Sequence, residues 1–494
     1  MSPTIATTVF AIGVGGLFYL DRDKAVQTSK ALWLAVAWVW ILGSRSISTW
    51  LQVNPANKND SPIDELIAAV LILCGILVLC MRSQAVRSAL KSGWPIAVYF
   101  AYCLLSAFWS DFPGQGLKRW VRAIGDLLMV LIIATDAQPV AALKRFFSRV
   151  GFVLLPASIL TLKYYPLLSH GYDDWGLQMN TGVTTNKNML GVSAFVLTLG
   201  AAWQVLRLLT IKDQANRGRH LLAQGTLLCF GISLLFSAHS ATSGACFAIG
   251  VTLLILTSFP VFRRRPGMVH ALISCILVLG GLVVLLGGQG AAAKAVGRNA
   301  DLTGRTEIWA LLVPMVPNPV LGAGFENFWF GPRLGKLRHT VASLTENPDD
   351  EGSNRGINEA HNGYLEVYLN LGLIGLALIG LIFIRGYSNA VSLFRHDPTI
   401  GCLSLACILT AAIYNVTEAG FRLSHPMWFF LLLSVVVRGG STPSPGTAAT
   451  APAARQHCEN HKGPPLGRHE AHGKNGAVDH APGQVGLGDA GIAK

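Results

Sequence analysis

Five short polar segments carry the residue types that could do chemistry, and each sits at the edge of an apolar run. The segment Glu359-Ala360-His361-Asn362-Gly363-Tyr364 supplies a histidine. Its near-neutral pKa suits a general base that takes the proton of a sugar hydroxyl, and Asn362 beside it is a substrate-binding candidate. Asp301-Leu302-Thr303-Gly304-Arg305 supplies Arg305, the leading phosphate ligand, with Asp301 to orient it and Trp309 to offer an aromatic face to a sugar or to the bilayer interface. Trp109-Ser110-Asp111-Phe112-Pro113 is followed by Lys118, Arg119 and Arg122. Arginine suits an anion site because its planar fork stays charged and pairs two phosphate oxygens. Thr184-Thr185-Asn186-Lys187-Asn188 adds Lys187 as a further phosphate contact, and the hydroxyl-rich turn Ser237–Ser243 is a sugar-binding candidate. Each segment also has a plain structural reading as a helix cap, a snorkelling cation or an interfacial tryptophan. The segments taken singly leave both readings open.

The elements that must position these residues are membrane helices. Of 494 residues, 51% are hydrophobic and only 13% are charged. A soluble domain carries roughly twice that charge. The apolar residues gather into runs near the length of about 20 residues that a bilayer crossing needs, which excludes a soluble cytosolic or secreted protein. Thirteen runs qualify, over about 3–20, 30–47, 63–81, 92–109, 119–135, 149–164, 189–209, 221–237, 243–260, 269–287, 363–384, 400–416 and 424–438. Backbone polar groups in lipid must be paired within their own segment, so the runs are helices. The fold class is therefore all-α, a polytopic transmembrane helix bundle of about 12–13 spans. The first run lacks a basic leading region and a small-x-small cleavage site and is read as a retained helix. Eight of the nine cysteines lie inside apolar runs with no metal-ligand spacing, so neither a disulfide framework nor a metal site is expected.

The net charge of +13 falls mainly in short loops near 21–30, 82–91, 136–149, 207–219 and 262–267. Topology accounts for this basicity without nucleic acid. The alternation places the N-terminus and the segments 110–118, 165–188, 238–242, 288–362 and 417–423 outside. Residues 1–438 form the membrane domain with one large extracytoplasmic loop, 288–362. That loop contains an apolar stretch, 308–316, able to lie on the membrane, and a mobile acidic run at 346–355. Residues 439–494, rich in Pro, Gly, Ala and His without periodicity, form a disordered cytoplasmic tail.

Together the segments resemble the O-antigen ligase and polymerase superfamily, and within it the exopolysaccharide polymerases. The specific match is His361-Asn362, nine residues, then Gly372-Leu373-Ile374-Gly375, which is similar to the family's His-Asn-x9-Gly-x-x-Gly signature. The Trp109-Ser110, Asn186-Lys187-Asn188 and Thr303-Gly304-Arg305 segments resemble family motifs in the family's order. The resemblance covers roughly residues 60–438, and it departs in the span count, since the family typically has about 12. It implies a metal-independent, cofactor-free glycosyltransferase of the bacterial inner membrane with its active site facing the periplasm. It implies a glycan on undecaprenyl pyrophosphate as donor, His361 as the base and Arg305 as the leading pyrophosphate ligand, with Arg119, Arg122 and Lys187 behind it. Inversion at the anomeric carbon is expected, since no carboxylate nucleophile is evident. Membrane lipid, chain-length regulators and export proteins are the implied partners. A polymerase, a ligase acting on a lipid A core, and a lipid-glycan flippase or transporter are the three functional readings. The third predicts charged residues at mid-membrane depth and related halves; the polar candidates cluster at one face, with Asp126 the main exception.

Overall fold

The computed structural model describes residues 1–23, 26–53, 61–172, 178–210, 216–265, 267–285, 308–344 and 359–437. The chain divides into Met1–Gly440 and Ser441–Lys494. The second unit and the acidic run 346–355 lie outside the described residues.

The first unit is helical. In chain order the helices of ten residues or more are α1 (Pro3–Leu20), α2 (Leu32–Leu42), α3 (Pro62–Met81), α4 (Ser83–Ser92), α5 (Trp94–Leu105), α6 (Pro113–Ala134), α7 (Pro139–Tyr164), α8 (Lys187–Thr210), α9 (Arg217–Ala238), α10 (Ala241–Ser258), α11 (Gly267–Leu285), α12 (Gly331–Leu344), α13 (Gly363–His396), α14 (Pro398–Thr417) and α15 (Pro426–Val436). Several begin with proline in the first turn, where its missing N–H has no intrahelical partner to lose. A two-stranded hairpin, β1 (His170–Tyr172) with β2 (Gln178–Asn180), is a small departure from an all-helical chain.

Each of the thirteen expected runs overlaps a helix. Eight helices among the described residues are long and apolar enough to cross a membrane. A ninth results if the pair Ser83–Ser92 and Trp94–Trp109, bent by 91°, is one broken span. Helices α2 and α15 are apolar but short, and α11 is apolar over Gly267–Leu279. Helix α6 is not one of the eight, and it carries Lys118, Arg119, Arg122 and Asp126. The polytopic membrane fold stands, with eight or nine full-length spans among the described residues.

Two helices run through the centre. Most of α8 and α14 is buried, against a small fraction of α1 and α3 at the periphery. Small residues allow the close approach: a side chain on Gly200 would land on the ring of Phe147, and one on Gly231 on Thr198.

The large loop is not a free excursion. Its apolar stretch joins a second small core, in which Ile308, Leu311, Met315 and Val316 pack with Leu312, Phe328, Trp329 and Leu369. The segment 318–328 then runs along a break in α13. Gly372 there has φ 62° and ψ −161°, a conformation open essentially to glycine alone. The break frees backbone groups that the loop takes up. Leu373 N donates to Pro319 O at 2.9 Å, and Ala323 N and Gly324 N donate to Leu369 O and Asn370 O at 3.1 and 2.8 Å. Asn370 Oδ1 accepts from the amides of Asn327 and Phe328 at 3.0 and 3.1 Å. A side chain on Gly372 would strike Val320, and one on Gly375 would strike Leu371. Both glycines of the His-Asn-x9-Gly-x-x-Gly signature thus have a packing reason.

Candidate active site

The turn that carries His361 is stitched to the end of α14 and to the start of α8. Gly363 N donates to Glu418 O at 3.0 Å, and a side chain on Gly363 would collide with Asn415. Asn362 caps α13 by accepting from Leu365 N at 3.0 Å. On the other flank, Ala360 is clamped through both backbone groups. Its N–H donates to Glu366 Oε1 at 2.6 Å, and its carbonyl accepts from the Trp309 indole at 2.7 Å. Glu366 is held in turn by Trp329 Nε1 at 2.9 Å. Between these anchors His361 is forced to φ 48°, an uncommon left-handed conformation for a non-glycine residue.

That conformation turns Nδ1 of His361 toward two carboxylates, Glu359 Oε1 at 2.9 Å and Glu418 Oε2 at 3.7 Å. Glu359 Oε2 pairs with Arg422 at 2.8 Å. Glu418 Oε2 accepts from Asn188 Nδ2 at 3.1 Å. The four elements are the loop end, the segment after α14, the start of α8 and the approach to α15. The cluster settles its own charges. Burial would lower the His361 pKa, but its bonds to Glu359 and Glu418 and their charges outweigh burial and raise it to about 9. Burial would raise Glu359, but the His361 bond and the charges of His361, Arg422 and His425 bring it down to about 2. Arg422 is likewise held firmly charged, its desolvation outweighed by Glu366, Glu326 and Glu359. His425, which caps α15 through Met427 N, is pushed down to about 4 by burial. These bonds and charges favour an imidazolium between the two carboxylates.

The other candidates separate. Asn362 stands beside His361. Trp309 reaches the site, yet its N–H is committed to Ala360. Lys187 begins α8 next to Asn188, half-buried, and it is Asn188 that enters the cluster. Arg119 is taken up by the large loop: it donates to Glu326 O at 2.8 Å, approaches Glu326 Oε2 at 3.6 Å and covers the Phe330 ring at 4.2 Å. Arg122 faces a separate cavity with Asp64, Ser44, Ser46 and Ser424. Arg305 and Asp301 lie outside the described residues. The Ser237–Ser243 turn reaches the end of α14 through Thr242 and Thr417, whose hydroxyls are 2.8 Å apart. Asp126 is buried between Trp38 Nε1 at 2.8 Å and Ser424 N at 3.3 Å.

The sequence reading did not single out Glu418, Arg422 or Asn188 as functional, and it gave Glu359 no role. A signal existed for one of them: Arg422, like Arg119, is an arginine at the edge of an apolar run, in the segment 417–423. Glu359, His361 and Glu418 also bring one ligand atom each within 4.8 Å of one another, a spacing that could hold a metal ion. Arg422 already occupies the far oxygen of Glu359 and opposes a cation there.

Residues 227–380 match the family model described as O-Antigen ligase. That range covers the large loop, His361 and the two glycines at 372 and 375. A curated relative, the exopolysaccharide production protein ExoQ of Rhizobium meliloti (strain 1021), is 23% identical over 300 residues, 59% of this chain. The match spans 64% of that relative's length. The resemblance to the O-antigen ligase family and to exopolysaccharide production proteins therefore rests on comparison as well as on motifs.

Proposed function

We propose that the chain is a glycan polymerase that joins undecaprenyl-pyrophosphate-linked repeat units into exopolysaccharide or O-antigen at the periplasmic face of the inner membrane. The observation that carries this is the placement of His361: within the residues that match the family model, at one end of the helix bundle, oriented by a paired carboxylate. In the reaction the acceptor hydroxyl oxygen bonds to the anomeric carbon, and the bond from that carbon to the pyrophosphate oxygen breaks. The pyrophosphate leaves with the electron pair. The hydroxyl proton passes to Nε2 of neutral His361, and Glu359 and Glu418 stabilise the imidazolium so formed. One base and one leaving group give inversion. Arg305 holds the pyrophosphate and neutralises its developing charge; four residues on, Trp309 is bonded to the residue before His361. The proposed reaction runs without a metal ion, since Arg422 already occupies the far oxygen of Glu359 and opposes a cation there.

A second reading, transfer of the glycan to a lipid A core, is favoured by the description of the family model as a ligase. A flippase or transporter is disfavoured because Asp126, the main charged exception within an apolar run, is satisfied by Trp38 and Ser424. The test uses purified full-length protein, lipid-pyrophosphate-linked repeat units and a gel of product lengths. Chains should lengthen in EDTA, and Arg305→Lys should be clearly impaired, because it keeps the charge but loses the two-pronged contact. Transfer of a single unit to lipid A core without lengthening selects the ligase, and no glycosidic product from either acceptor removes the proposal.

A further inference from the structure

At the far end of α8 and α14 from His361 lies a second polar cavity, of about 100 Å³, that the chemistry above does not use. Arg207 and Arg263 face it, together with Trp203, Thr210, Ser258 and Thr399. Asn188 and Arg207 are nineteen residues apart on α8, about 29 Å at the α-helical rise. Thr399 and Glu418 have the same separation along α14. This is close to the hydrocarbon thickness of a bilayer, about 30 Å, so the His361 cluster and this cavity lie about one bilayer core apart along the helices.

The lining contains no carboxylate. Neither guanidinium has a hydrogen-bond or ion-pair partner among the described residues. Asp397 acts on Arg207 only through space, its carboxylate being held by the amides of Thr399 and Ile400 at 3.1 and 3.4 Å. The hydroxyls of Thr210 and Ser258 are spent on Leu206 O and Leu254 O, which leaves the two guanidinium groups as the charged donors of the lining. One wall is apolar, formed by Leu206 and Leu254, and Leu209, Phe259 and Val261 stand exposed next to the lining residues in sequence. Cations with no hydrogen-bond or ion-pair partner among the described residues call for an anion, and an apolar wall with exposed apolar neighbours calls for one that carries a hydrocarbon chain.

We infer that this cavity binds the phosphate of an anionic phospholipid, with Arg207 and Arg263 as the phosphate ligands and the acyl chains along the apolar wall. The site is independent of the glycosyl-transfer reading. The test is native mass spectrometry of the purified full-length protein released from mixed phosphatidylglycerol and phosphatidylcholine bilayers, with inorganic phosphate as a separate probe. Wild type should retain phosphatidylglycerol over phosphatidylcholine. Arg207→Gln and the exposed Arg263→Gln should each weaken that retention about fivefold, with unfolding temperature in pure phosphatidylcholine unchanged. Equal retention of the two lipids by wild type, or undiminished phosphatidylglycerol in both variants, overturns the inference. If inorganic phosphate in pure phosphatidylcholine binds as well and is lost in the same variants, the cavity takes free phosphate and the lipid assignment falls.

Discussion

The two ends of α8 and α14 handle charge in opposite ways. At the end that holds His361, the charges of its cluster are answered inside the chain: Glu359 by His361 and Arg422, Glu418 by Asn188 and His361. At the other end Arg207 and Arg263 face a cavity lined by hydroxyls and apolar carbon. A closed network fixes geometry and titration, because its partners are covalently tethered and move little. An open pair of cations takes its counter-charge from outside and so responds to what the surroundings supply. Rigid preorganisation suits a group that must meet a reacting atom, and openness suits binding. The contrast predicts that substitutions in the closed network act on chemistry and those at the open end act on what is bound.

The largest effect expected from breaking the contrast comes from His361→Ala. Removal of a positioned base costs about 100- to 10,000-fold in rate, so the gel of product lengths should show no polymer from protein that inserts at normal levels. Near-normal chain extension by this variant removes His361 from the mechanism. Next is Gly372→Ala. The left-handed backbone there costs a non-glycine residue about 1–3 kcal/mol, and the new methyl would strike Val320. The loop 318–328 should detach from α13, and thermal unfolding should fall by several degrees; an unchanged transition refutes the packing reason given for this glycine.

The pH dependence sharpens the comparison further. A general base must be neutral, and His361 is held protonated up to about pH 9. The rate should therefore climb about tenfold per pH unit from neutrality and level near pH 9. Glu418→Gln removes one of the charges that raise this pKa, so the plateau should arrive at lower pH; a profile that does not move excludes Glu418 from orienting the base. The stability contributions run in opposite directions. The raised His361 pKa contributes fully below its ordinary value of 6.5 and is lost as pH rises through about 9. The depressed Glu359 pKa contributes above its ordinary value of 4.5 and is lost as pH falls through about 2. Both contributions are complete between about pH 4.5 and 6.5, so unfolding temperature should decline above that window while the rate still rises.

The smallest effect should come from truncation after Gly440. The remaining segment has no apolar periodicity with which to bury a core, and polymer yield should match the full chain within error. Protein that inserts normally and makes no polymer assigns the tail a function.

Read alone, the residues settle the class of the molecule. Apolar runs of about 20 residues with charge confined to their flanks can only be membrane helices, because a bilayer leaves the backbone no other partner. The signature from His361 to Gly375 is equally local, since a turn, a cap and a glycine break follow one another along one stretch of chain. What the sequence could not show is which distant groups answer His361. Glu418 and Arg422 follow it by more than fifty residues, and Asn188 precedes it by more than a hundred and fifty. No spacing rule links them. They meet only because α8, α13 and α14 pack with their ends level. The same packing, and not any motif, leaves Arg207 and Arg263 together, without a hydrogen-bond or ion-pair partner among the described residues, about 29 Å away. Local pattern decides which segments cross the membrane; the register in which they pack decides which charges are closed and which stay open.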